Sequence, residues 1–209
     1  MRHFPTPAYL LILFLFTLLA AYAHGVSPQG FDVTLLNIVQ GWKTSLLDQL
    51  MNSMTFLGET WPSIILAGFV VLWFWVKGYR REALGLVVAL VAISLIGSLI
   101  KGIIDRTRPD GGQFSFASGH TAYFTVFTGY LYYYMVRVVR DSRWLLVWRA
   151  GLILLLVLTA ISRLYLNVHW PTDVLGGFLL GVLVLVPLVW IVDSTIYDYD
   201  LTNEQLQRG

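Results

Sequence analysis

Long apolar runs alternate with short polar breaks along this chain, and the runs have the length that a bilayer sets. Six can be marked: residues 8–23, 62–77, 82–103, 119–139, 145–162 and 173–192. A hydrocarbon core of about 30 Å takes roughly 20 residues of α-helix. Inside lipid each backbone polar group must be satisfied within its own segment, so such runs predict helices. The expected fold class is all-α: a polytopic membrane helix bundle of about six transmembrane helices, one domain over residues 1–209. The run 62–77 is short, yet Trp61, Trp73 and Trp75 suit its ends to the membrane interface. Gly177-x3-Gly181 in the last run would let a neighbouring helix approach closely. No internal repeat or linker divides the chain.

Residues 25–60 are too polar to cross. They still carry apolar positions at helical spacing, Leu35, Leu36, Val39 and Trp42, then Leu46, Leu47, Leu50, Met51 and Met54. That pattern predicts an extracytoplasmic amphipathic helix or helix pair lying over the bundle. The first run has two readings. Arg2, the apolar stretch and Ala21-Tyr22-Ala23 fit a secretory signal peptide, which would leave a chain starting at His24. A retained helix is expected instead, because a protein with several spans needs no separate export signal.

Composition agrees with a lipid solvent: 57% of residues are apolar and only 12% charged, against roughly a quarter charged in ordinary globular proteins. A net charge of +2 without a basic, aromatic-laced stripe argues against nucleic acid as a partner. The absence of cysteine excludes disulfides, thiolate chemistry and a cysteine zinc site. Arginine and lysine set the orientation. With the amino terminus inside, Arg2, Lys77, Arg80, Arg81, Arg137, Arg140, Arg143, Arg149 and Arg208 are cytoplasmic, nine of the fourteen cations. Lys43, Lys101, Arg106, Arg108 and Arg163 then face outside. The acidic tail (Asp193, Asp198, Asp200 and Glu204) weighs little in this rule.

Three of those outer cations belong to polar clusters that interrupt the apolar pattern: Lys101-x6-Arg108-Pro109, Ser118-Gly119-His120 and Ser162-Arg163-x5-His169-x3-Asp173. Ionisable groups at the ends of spans are costly and mark functional sites. On a continuing helix Lys101 and Arg108 would lie two turns apart on one face, able to grip a phosphate or to snorkel to headgroups. Asp105 and Arg106 read as loop charges paired with each other. Ser118 is placed to cap a helix whose free N–H groups cradle an anion, and Gly119 permits close backbone approach. His120 can donate a proton there, or can be an ordinary interfacial histidine. Pro171 suits a first helical position, which puts Asp173 in the first turn, within hydrogen-bonding reach of one nitrogen of an interfacial His169. That leaves the other imidazole nitrogen free to attack. Singly, each cluster has a plain structural reading. Together they supply what phosphoryl transfer needs: cations for the equatorial oxygens, an in-line nucleophile and an acid for the leaving oxygen.

The three clusters resemble the signature motifs of the type 2 phosphatidic acid phosphatase superfamily, K-x6-R-P, P-S-G-H and S-R-x5-H-x3-D. One position departs from the pattern: Ala117 stands where the family usually has proline, which predicts altered loop rigidity and retained chemistry. The resemblance implies a six-helix membrane phosphatase. It implies His169 as the nucleophile that forms a phosphohistidine, oriented by Asp173. It implies His120 as the acid that protonates the leaving group and later the base that activates water. Lys101, Arg108 and Arg163 take the part of a phosphate clamp, with Ser118 and Gly119 adding donors. No metal and no other cofactor are implied.

The expected function is hydrolysis of a lipid phosphomonoester or diphosphate at the outer face of a bacterial cytoplasmic membrane. The resemblance suggests undecaprenyl diphosphate, phosphatidylglycerol phosphate, phosphatidic acid or lipid A phosphates as substrates, with the first two classes favoured. The short loop from Asp110 to Ala117 leaves little protein to recognise a large soluble partner, so a membrane-borne tail would supply much of the binding. Two alternatives use the same residues: phosphate transfer to another lipid, and a non-enzymatic protein that binds or transports a lipid headgroup. The second needs cations but has no use for an oriented nucleophile. A soluble haloperoxidase-like reading does not fit the apolar spans. The sequence sets no oligomeric state.

Overall fold

Eight α-helices carry the chain in the computed structural model, which describes residues 4–137, 139 and 141–208, the side chains of 137 and 196–208 excepted. They are α1 (Thr6–Gly25), α2 (Phe31–Gln40), α3 (Ser45–Leu57), α4 (Thr60–Val76), α5 (Arg80–Ile104), α6 (Gly119–Tyr134), α7 (Ser142–Tyr165) and α8 (Pro171–Arg208). No strand occurs among the described residues. Of the residues that set the expected orientation, Arg2 and Arg140 lie outside the described residues, as do the side chains of Arg137, Asp198, Asp200, Glu204 and Arg208.

Each of the six apolar runs holds a helix, but the count of spans is approximate. Helices α1, α5, α7 and the first part of α8 (Pro171–Thr195) are long and apolar enough to cross a membrane. Helix α4 reaches that standard only together with α3, across a 64° bend. Helix α6 has 16 residues and passes into a short 3-10 turn at Met135–Arg137, so the helix ends before the apolar run does. The segment 25–60 is a helix pair: α2 and α3 lie against α7 with Leu36, Val39 and Met51 buried beside Leu164 and Tyr165. Trp42 and Leu46 of the same apolar pattern stay exposed.

Local chemistry sets the boundaries. The Thr44 hydroxyl accepts from the Leu47 N–H to start α3, and the Asp141 carboxylate accepts from the Arg143 N–H to start α7. Helix α8 opens on Pro171, where a missing N–H costs nothing. Helix α5 stops at Ile104 because Asp105 turns left-handed, at φ 43°.

Helix α6 is the centre of the bundle, with Phe124, Phe127, Tyr130 and Tyr134 almost wholly buried. Around it stand α5, α7 and α8. The glycine pair of α8 explains the closest approach. A Cβ on Gly177 would lie 2.5 Å from the Ser118 carbonyl oxygen, and one on Gly181 would lie 2.5 Å from Thr125 Cβ. At the far end of the bundle Tyr130 donates to the Glu82 carbonyl, and Tyr133 and Tyr134 both donate to Asp193. Helix α1 packs on α8 and α5: Tyr9 donates to the Leu183 carbonyl at 3.2 Å, and Phe16 meets Phe116 with ring centroids 6.0 Å apart. The outward faces of α1, α4 and α7 present Leu11, Phe14, Phe69, Leu72, Leu146 and Val147. Such surfaces suit lipid, and the protein is an integral membrane protein.

Candidate active site

At one end of the bundle the C-termini of α5 and α7 meet the N-termini of α6 and α8, and the three polar clusters gather there. Residues 166–170 make a tight link between α7 and α8, turned by Asn167 at φ 62°. The N–H groups of Leu166, Asn167 and Val168 bond back to carbonyls of Ser162, Leu164 and Arg163. His169 lies in this link with only 2% of its surface exposed, so the interfacial histidine of the sequence reading is a buried one.

The Asp173 carboxylate ties helix α8 to the 166–170 link and to the loop between α5 and α6. Its Oδ2 accepts from the Trp170 N–H at 2.8 Å, closing the first turn of α8, and also from the Ser115 hydroxyl. Its Oδ1 accepts from Arg106 at 2.6 Å. The His169 Nδ1 atom lies 3.7 Å from Oδ2, so the hydrogen bond expected between this pair is a close approach in the resting structure. Backbone contacts fix the same region: Ser118 N–H donates to the Asp173 carbonyl at 3.0 Å, and the Trp170 indole donates to the Thr107 carbonyl at 2.9 Å.

Two expectations for the first cluster are corrected. The left-handed turn at Asp105 ends α5, so Arg108 leaves the helical stripe of Lys101 and sits in the loop. There its backbone closes a turn with Gly112. Arg106 is no solvated partner of Asp105; it is 4% exposed and bridges Asp173 and Asp32 at 2.6 Å each, while Asp105 is exposed. A buried guanidinium needs matched acceptors, and two carboxylates outcompete a neighbour that can reach water.

Ser118 occupies the N-cap of α6, but its hydroxyl makes no capping bond and instead accepts from the Thr121 hydroxyl at 3.0 Å. Lys101 Nζ lies 3.4 Å from where a Gly119 Cβ would be, so glycine leaves room for the ammonium. Arg163 is 6% exposed and donates to the Thr55 hydroxyl of α3 at 3.0 Å. The His120 ring lies flush on Gly58, where an added Cβ would fall 2.2 Å from Cδ2, and its Nε2 is 3.8 Å from Glu59.

Lys101, Arg108 and Arg163 are close enough for their charges to act on one another, and Lys101 and Arg163 act on both histidines. Burial holds the His169 imidazole below its ordinary pKa of 6.5; Asp173 pulls the other way, while Arg163 and Lys101 add to burial. The ring therefore rests neutral near pH 7. Arg108 Nε, Arg163 Nε and His120 Nε2 are buried donors without a hydrogen-bond partner among the described residues. An oxyanion placed among them would supply the missing acceptors. Beside them a cavity of about 300 Å³ is lined by Lys101, Gly119 and His120, and by Ile64, Ile93, Tyr123 and Leu180. No group of three or more histidines and carboxylates is spaced to hold a metal ion among the described residues.

All eight residues singled out in the sequence lie at this end of the bundle. Arg106, Asp32, Thr55, Gly58 and Ser115 were not singled out. Arg106 carried the one available signal, a second arginine beside Arg108. The others answer to contacts far along the chain.

The PAP2 superfamily model matches residues 82–197, a stretch that holds all three clusters. Phosphatidylglycerophosphatase B of Bacillus subtilis (strain 168) is 34% identical over 183 residues, covering 82% of this chain and 88% of its own. Undecaprenyl-diphosphatase of Sulfolobus acidocaldarius is 27% identical over 188 residues, 83% of this chain and 85% of its own. The crystal structure of a transmembrane PAP2-type phosphatidylglycerolphosphate phosphatase from Bacillus subtilis matches with a TM-score of 0.77 at 26% identity, over 89% of this chain and 96% of that one. With the family model and close-length relatives in agreement, this chain belongs to the PAP2 superfamily.

Proposed function

We propose that the chain is a lipid phosphate phosphatase that works through a phosphohistidine at His169, acting as one unit on a substrate held in the membrane. The carrying observation is the cavity in which Lys101, Gly119 and His120 meet an apolar wall of Ile64, Ile93, Tyr123 and Leu180. A phosphate with a hydrocarbon tail presents the matching chemistry: an anion for the cations and methylenes for the wall. The family and the activities that the relatives are named for support hydrolysis over simple holding.

The neutral His169 imidazole keeps its proton on Nδ1, facing Asp173, and attacks phosphorus through the lone pair of Nε2. The N–P bond forms as the P–O bond to the lipid breaks, and His120 gives its proton to the departing oxygen. Water then surrenders a proton to His120 and attacks phosphorus, the N–P bond breaks, and inorganic phosphate leaves. His169 gains positive charge in the first step, so the 3.7 Å approach to Asp173 closes into a hydrogen bond when it is needed. The negative charge of a bound phosphate would favour the protonated form of His120. Lys101, Arg108 and Arg163 spread over the equatorial oxygens, with Ser118 and Gly119 beside them.

The site faces outward in this reading. Helix α5 carries Arg80 and Arg81 at one end and Lys101 at the other, and the cytoplasmic leaflet retains the end richer in cations. A bacterial cytoplasmic membrane then exposes the site to its outer leaflet. Undecaprenyl diphosphate and phosphatidylglycerol phosphate are the preferred candidates, in line with the named relatives. The test is phosphate release by the purified protein in detergent from these two lipids, phosphatidic acid and a soluble phosphomonoester. Release from lipids well above release from the soluble ester supports the reading; release from none, or preference for the soluble ester, defeats it.

A further inference from the structure

A second layer of charge lies behind Asp173, and part of it comes from outside the stretch that the family model matches. Asp32 opens helix α2 and is completely buried. Its Oδ1 accepts from the Thr172 N–H at 2.9 Å, and its Oδ2 accepts from the Thr172 hydroxyl at 2.8 Å and from Arg106 at 2.6 Å. Arg106 spends one terminal nitrogen on Asp32 and the other on Asp173 and Thr172. Its plane also lies over the Tyr22 ring, 5.9 Å from the centroid. One guanidinium thus stands between two carboxylates, and the cluster keeps one negative charge in excess. Buried excess charge is costly unless something nearby uses it. The Nδ1 edge of His169 is what lies beside it.

We infer that Arg106 and Asp32 are positioning residues for His169: Arg106 holds Asp173 by Oδ1 so that Oδ2 faces the imidazole, and Asp32 keeps the cluster negative so that a cationic imidazole is stabilised. The inference rests on the phosphohistidine reading above and extends it to residues that touch neither substrate nor phosphorus. Arg106 alone would neutralise Asp173 and leave the phosphoimidazolium without a counter-charge. Asp32 restores the balance. Because Asp32 belongs to α2, the helix pair over the bundle becomes part of the catalytic framework and is more than a cover.

The prediction is electrostatic, so it differs in sign between the two partners. His169 is faced by Asp173 from α8, Arg163 from α7, Lys101 from α5 and His120 from α6, with Arg108, Asp110 and Glu59 around Arg163. Those groups are common to every variant below. Asp32→Asn keeps the shape and removes a negative charge, which makes the imidazole less basic. Arg106→Gln removes a positive charge, which makes it more basic. Phosphate release from dioctanoyl phosphatidic acid in detergent, followed from acid to neutral pH, reads this directly. The acid limb of kcat/KM is expected to move to lower pH in Asp32→Asn and to higher pH in Arg106→Gln, with Arg106→Lys returning it toward the native position. In both neutralised variants kcat is expected to fall about tenfold or more, the scale of losing an outer partner of an oriented imidazole, while KM stays within about twofold.

Limbs that do not move, or that move in the same direction, overturn the inference, as does a loss of activity that only tracks the loss of folded protein in size-exclusion chromatography. Should Arg106→Gln not accumulate, the isosteric Asp32→Asn decides alone by the direction of its shift. His169→Ala is run alongside. If it releases phosphate at the native rate, the phosphohistidine reading fails and takes this inference with it. If it is inactive while Asp32→Asn and Arg106→Gln keep native rates and limbs, only the inference fails.

Discussion

On one side of His169 the Asp173 carboxylate is fully engaged, with Arg106 on one oxygen and Ser115 and the Trp170 N–H on the other. Buried nitrogens without a hydrogen-bond partner among the described residues occur on both sides: Arg106 Nε and His169 Nδ1 on the first, and Arg108 Nε, Arg163 Nε and His120 Nε2 around the proposed phosphate-binding cations on the second. The carboxylate side is joined to the 166–170 link and to the α5–α6 loop, so its atoms are held before any substrate arrives. The donor side is desolvated and under-satisfied, and an arriving phosphate would supply the acceptors. A catalyst gains from both, because fixed dipoles need no reorganisation during reaction and unfilled donors favour the anion.

The comparison can be broken most severely at the atom between the two sides. His169→Gln retains bulk in a buried position and should lower phosphate release by about 10⁴-fold or more, the scale of losing a covalent nucleophile. The folded protein should still extract from the membrane and elute as the native form does. Turnover within tenfold of native would reject the nucleophile.

Thinning the donor side comes next. Arg163→Met removes a buried cation that Thr55 orients and should lower kcat by about 10²–10³-fold, the range for losing one transition-state donor. Arg163→Lys should recover part of this and no more, because a point charge cannot replace the guanidinium fork. Full recovery by lysine would show that charge alone matters there.

Gly58→Ala sharpens the same side without touching charge. The new Cβ would fall 2.2 Å from His120 Cδ2, so the ring must swing away from its place. A displaced acid should cost about 10- to 100-fold in kcat, within the range general acid catalysis supplies, with thermal stability nearly unchanged. Native turnover would mean that His120 acts from some other position. Gly177→Ala serves as the contrast on the scaffold: its Cβ would meet the Ser118 carbonyl at 2.5 Å, and backbone cannot step aside. About 1–3 kcal/mol of stability should be lost, seen as a lower Tm.

The smallest effect is that of pH. Burial and the neighbouring cations hold His169 below 6.5, so the ring is neutral at pH 7 and, with His169 as the proposed nucleophile, activity should fall only as pH drops through a value under 6.5. Unfolding frees the ring to take up a proton at its ordinary pKa, so the unfolded chain binds more protons in acid. Stability from this group is thus present above pH 6.5 and declines below it. An acid limb above pH 6.5 that shifts with His169 substitution would contradict this.

Much of this was legible from the chain. The apolar runs place six of the helices, because lipid rewards length and hydropathy in a local window. The Gly177 and Gly181 pair points to a close helix approach, and α6 fills it. The three clusters point to one shared site because cations, imidazoles and a carboxylate at span ends have few other uses, and the fold gathers them at one end of the bundle. What stayed hidden depends on distant partners. Arg106 reaches residues 74 and 67 positions away, and from sequence alone it resembles any loop arginine next to an aspartate. Gly58 reads as a helix end until the His120 ring is seen resting on it. The left-handed turn at Asp105, which separates Arg108 from the helix of Lys101, has no glycine to signal it.

The account stands on covalent capture of phosphate by His169. Protein mixed with a lipid phosphate labelled at phosphorus, quenched in alkali during turnover and digested, should yield label on the peptide that carries His169, bound through an acid-labile N–P linkage. His169→Gln should yield none. Label on another residue, or continued turnover by His169→Gln without any labelled peptide, would contradict it.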